Sequence, residues 1–91
     1  MSHLAANRQP LINRVRRIAG QLAAVERALE GDADCATTLQ RVAAVRGAVN
    51  GLLDEIVEDH LREHVARPGL TDAERAAGAE ELLAVIRRYT R

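Results

Sequence analysis

Two histidines and one cysteine are the residues of this chain whose spacing could do chemistry. His60 and His64 close the run "EDHLREH", four positions apart. Residues four apart lie on one face of a helix, so both imidazoles can reach a single ion. Imidazole suits Zn, Ni, Co and Cu, and two such ligands are half a site. A bare His-x-x-x-His is more often a pair of polar residues near a helix end, so further donors have to be found. The same residues also match H-x-x-E-H, the inverted zinc-protease motif, with Glu63 as general base. That alternative needs a third protein ligand and a substrate cleft, and 91 residues of helical pattern offer little material for one.

Cys35 is the only cysteine. Taken alone it would be a small buried hydrophobe. It opens the helix that the histidines close, and 25 residues at a helical rise separate it from His60 by roughly 37 Å. One chain cannot bring the three together. Two antiparallel copies can, because the start of each long helix then lies beside the end of the other. A thiolate with two imidazoles selects borderline transition metals over Mg or Ca. His3 is a further candidate ligand. Removal of Met1 before Ser2 would leave a free amine two positions from its imidazole, a chelating pair for Ni or Co.

These residues depend on helices to position them. Leu11, Val15, Ile18, Leu22, Val25 and Leu29 alternate steps of four and three, joined by Ile12, and predict a helix over 10–29 with Pro10 in its first turn. Residues 1–9 read as a flexible N-terminal arm and 10–91 as a single helical domain. A second helix is expected to start after Asp32 or Asp34. Val45, Val49, Leu52 and Ile56 keep phase through "RGAVNG", so Asn50-Gly51 is read as helix rather than turn, and the helix continues to Ala66, where "RPG" ends it. Thr71 or Asp72 caps a third helix carrying Leu82, Leu83, Val85, Ile86 and Tyr89, with Gly78 as a weak point. A second helix of about 33 residues is roughly 50 Å long. A domain of this size has a radius of gyration near ~12 Å. Its apolar length therefore calls for association into a larger helical bundle.

Composition narrows the partners. Apolar residues are 47% of the chain, yet there is no Phe or Trp and only one Tyr, which argues against readers that stack single-stranded bases. One cysteine, no apolar leader and no membrane-length apolar run indicate a cytoplasmic protein with no membrane partner. Residues 1–50 carry seven Arg against four acids, and 51–91 six Arg against nine. The sharpest basic patch is Arg8, Arg14, Arg16 and Arg17, a solvated face unless an anionic partner claims it.

"RVRRIAGQLAAVERALEGDADC" and "RVAAVRGAVNGLLDEIVEDHLREH" resemble, almost position for position, the two principal helices of the CsoR/RcnR family of bacterial metal- or aldehyde-responsive repressors. The resemblance implies an all-α fold, in which a three-helix protomer with one long central helix pairs into an antiparallel four-helix-bundle dimer. Dimers of this kind assemble into a homotetramer that has no helix-turn-helix. It also implies binding to double-stranded operator DNA in the apo state and release on ligand binding. The matching DNA-binding positions are Arg14, Arg17 and Gln21. Ser2, His3, Cys35, His60 and His64 together look like the nickel/cobalt branch, so the implied effector is Ni(II) or Co(II), with Zn(II) behind them, held at intersubunit sites. Arg67 departs from that branch, where a close relative has another histidine. The formaldehyde branch, which would use Cys35 and the N-terminal amine, resembles the chain at Cys35 and His60 but carries Pro at position 2 and no His at 64.

Overall fold

The computed structural model describes residues 8–89, and no strand occurs among them. Helix α1 spans Arg8–Glu30 and α2 spans Cys35–Leu61; a π-wound turn covers Arg62–Ala66, and α3 spans Asp72–Tyr89. The all-α, three-helix protomer with a long central helix is as expected. Helix α1 starts earlier than the apolar stripe required, so Arg8 and Gln9 are helical rather than part of an arm. Residues 1–7 lie outside the described residues.

The described residues fall into two compact units, one ending at Leu53 and the other starting at Asp54. In the first, α1 turns into α2 through Gly31–Asp34. Gly31 N–H donates to Arg27 O at 3.0 Å, closing the last turn of α1. Asp34 then caps α2 by accepting from Thr37 N–H at 3.0 Å. Hydrogen bonds from the Thr37 side chain and backbone hold the Asp34 carboxyl below its ordinary range. The helices run antiparallel: Arg14, early in α1, lies against Gly51, late in α2. Helix α2 is unbroken through Asn50-Gly51. Glycine at 51 leaves room for the Arg14 guanidinium, which a Cβ there would meet.

Leu11 and Ile18 are buried, whereas Val15, Leu22 and Leu29, on the neighbouring heptad stripe, are 49%, 53% and 71% exposed. Leu39, Val42 and Val49 of α2 are exposed as well. Fully burying such a side chain contributes roughly 1.5–3 kcal/mol, of which these partly exposed ones realise only a share. The described part of one protomer thus leaves a continuous apolar stripe in water.

In the second unit, α3 packs against the π turn. Its start is a capping box: Glu74 N–H donates to Thr71 Oγ1 at 3.0 Å, and Thr71 N–H donates to Glu74 Oε1 at 2.9 Å. These bonds hold the Glu74 carboxyl below its ordinary value. The turn before it runs through Pro68 and Gly69, whose φ of 86° lies in the left-handed region. The second helix reaches Ala66 in helical form, but its last five residues are π-wound rather than α. The reason is tertiary: α3 presses against this segment, and Arg75 Nη1 donates to the carbonyl of Val65, which a regular helix end would leave to solvent.

Candidate metal centre and nucleic-acid face

His60 ends α2 and His64 lies in the π turn, and their rings stand 4.8 Å apart between centroids at an interplanar angle of 42°. The His60 side chain is only 17% exposed. Its Nε2 lies 3.0 Å from the carbonyl oxygen of Gly78. A carbonyl can only accept, so Nε2 carries the proton and, in the neutral ring, the lone pair is on Nδ1. The Glu81 carboxylate lies 3.6 Å from the same nitrogen. Two imidazole nitrogens bound to one transition-metal ion at ~2.0–2.1 Å are roughly 3 Å apart. With ring centroids 4.8 Å apart, two imidazoles of this kind suit an ion of the Zn, Ni, Co or Cu type.

The surroundings are charged and paired. Asp59 is buried and accepts from Arg62 Nη1 at 3.0 Å. Arg62 also reaches Glu58 at 3.5 Å, and Arg67 lies 3.5 Å from Glu63. Arg67, the departure from the nickel/cobalt branch, thus serves as the cation for Glu63, the residue that a zinc-protease mechanism would need as base.

Cys35 is the first residue of α2 and is exposed. His3 lies outside the described residues. Among the described residues, no three His, Cys, Asp or Glu side chains gather closely enough to hold an ion.

On α1, Arg17 and Gln21 are exposed and Arg14 is half-buried along Gly51. Steps of three and four put these three on one helical face. Gly78 and Glu81 lie against His60, and Arg75 holds the turn that carries His64; sequence reasoning missed all three. The signal that could have found one of them was a glycine inside a helix of good formers, which by itself reads only as a weakness.

The model of the metal-sensitive transcriptional repressor family matches residues 7–88. The chain belongs to that family, the CsoR/RcnR repressors. It is a repressor family and not an enzyme family, which removes the H-x-x-E-H hydrolase reading. Membership implies operator DNA as partner and an oligomeric protein. Among relatives, the chain is 48% identical to an uncharacterized Serratia marcescens protein from the bioA 5' region, over 98% of both chains. It is 39% identical to the transcriptional repressor RcnR of Salmonella arizonae, again over 98% of both. Among solved structures it is similar to a variant of the formaldehyde-responsive regulator FrmR from Salmonella enterica serovar Typhimurium. That match has a TM-score of 0.88 and 43% identity, over 97% of this chain and 99% of the other. No helix among the described residues is long and apolar enough to cross a membrane.

Proposed function

We propose that this repressor occupies operator DNA when empty and is released by Ni(II) or Co(II), Zn(II) being an alternative effector, derepressing efflux or detoxification genes. The observation that carries this reading is the closeness of the His60 and His64 rings, 4.8 Å between centroids, which brings two borderline nitrogen ligands side by side. Cys35 of an antiparallel second copy and His3 with the N-terminal amine complete the donor set, giving intersubunit sites in a homodimer or homotetramer. The exposed apolar stripe of Val15, Leu22 and Leu29 supports such an assembly. Arg14, Arg17 and Gln21 of each copy face the operator, where phosphate contacts dominate affinity and DNA shape carries much of the specificity. The protein works in the cytoplasm, where the operator is.

The ion, when bound, supplies bonds that exist in only one of two conformations. His60 and His64 draw the neighbouring chain's Cys35 and the N-terminal arm toward α2, and the tetramer moves to a form whose arginines no longer match the operator. Coupling of about 1–3 kcal/mol gives roughly 5–150-fold weaker DNA binding. The imidazoles and the thiol must lose protons to bind, so the response weakens as pH falls.

A second reading is aldehyde sensing, favoured by the likeness to a formaldehyde-responsive regulator and by the exposure of Cys35. In it, the Cys35 thiol and the N-terminal amine are the reacting groups. Operator release followed by fluorescence anisotropy separates the two. Release by Ni(II) or Co(II) supports the metal reading; release by formaldehyde alone overturns it.

A further inference from the structure

His60 and His64 stand on different kinds of backbone. In a regular helix the i, i+4 relation is built into the winding. A π turn between the two partners has wider winding and is rare, so the contacts that accompany it matter. Here those contacts come from α3. The Arg75 guanidinium donates to the carbonyl of Val65 through Nη1 and to that of Arg67 through Nη2, the latter at 3.5 Å. Gly78 is buried, and a Cβ placed on it would stand 2.8 Å from the carbonyl carbon of His64 and 2.9 Å from its Cβ, with the His64 oxygen nearer still. Real Cβ atoms do not approach that closely, and the obstacle is mostly backbone, which cannot swing aside. The carbonyl of the same Gly78 accepts from His60 Nε2 at 3.0 Å.

One residue therefore touches both histidines, the ring of one and the backbone of the other. Helix interiors disfavour glycine, so its presence mid-helix in α3 needs such a reason. We propose that Gly78, with Arg75 beside it, is the positioning residue of the histidine pair. Its missing side chain admits the π turn that carries His64, and its carbonyl fixes the ring of His60 in one tautomer. The inference rests on the reading that the pair holds the effector.

The test uses the full chain. In the metal-free wild type, long-range proton–nitrogen spectra of the imidazoles should show His60 as the Nε2–H tautomer. In Gly78→Ala the nitrogen shifts of the His60 ring should move toward mixed tautomers, and Ni(II) affinity, read by competition with a chromophoric chelator, should fall about 10–100-fold, as for other outer-shell partners. A general loss of stability would not change the tautomer of a folded protein, whose helix content circular dichroism checks. If Gly78→Ala does not fold, Arg75→Met takes its place, since it keeps the stem and adds no bulk. Unchanged tautomers and unchanged Ni(II) affinity in a folded variant overturn the proposal. If His60→Ala binds Ni(II) as tightly as wild type, the effector reading fails instead, and the tautomer response alone then decides the role of Gly78.

Discussion

The His60 imidazole donates to the backbone carbonyl of Gly78 at 3.0 Å, across 18 residues of chain. This bond ties a candidate ligand at the end of α2 to the middle of α3. It makes the third helix part of the site rather than a trailing support.

Removing either ring tests the ligand assignment. His60→Ala and His64→Ala should each weaken Ni(II) or Co(II) binding by more than the roughly 10–100-fold typical of outer-shell partners. Operator affinity without metal should stay near wild type. Chelator competition and DNA anisotropy read the two separately, and a histidine variant with undiminished metal affinity removes that residue from the site.

Arg14→Ala and Arg17→Ala should weaken binding to all DNA sequences nearly uniformly. For every phosphate that an arginine no longer neutralises, the slope of log affinity against log salt should shrink by about one. An unchanged salt slope would remove the residue from the interface.

Gly51→Ala probes how Arg14 is held. The new methyl meets the guanidinium, the far end of a flexible side chain, so the arginine moves at small cost. Replacing a helical glycine by alanine adds up to about 1 kcal/mol. The expected result is a melting temperature equal to or above wild type together with weaker operator binding. Weaker stability with unaltered DNA binding would contradict it.

Acid should loosen the start of α3 through its cap. Glu74 has its folded-state value lowered, first by the Thr71 N–H and then by the Thr71 side chain. Its unfolded value is higher, so the contribution is fully present above the ordinary value of 4.5 and is lost as pH falls below it. Asp34 behaves alike at the start of α2, from 3.8 downward. Thr71→Ala should cost about 1 kcal/mol at neutral pH and flatten part of the acid dependence in thermal melts followed from neutral to acid pH. A melt series in which wild type and variant lose stability in parallel would rule out this source.

Leu22→Glu should impair assembly, because it puts a carboxylate on the exposed apolar stripe of α1. Sedimentation velocity should show smaller species with helix content retained. An unaltered distribution would place the interface elsewhere.

Most of the helical architecture was legible from local chemistry. The four-three steps of α1 and the unbroken phase through Asn50-Gly51 are properties of side chains within a few residues of one another. So are the Asp34 and Thr71 caps. The sequence also put both histidines on one helical face, and their rings are indeed neighbours. What it could not contain was the winding between them. A π turn is a rare departure from α winding, and here it packs against α3, further along the chain. Gly78 in isolation is a poor helix former; against the His64 backbone it is the one residue that fits. Local pattern thus determined which residues could act and on which helices. Packing of α3 decided how far apart the imidazoles stand and which nitrogen carries the proton, because those depend on contacts between segments distant along the chain.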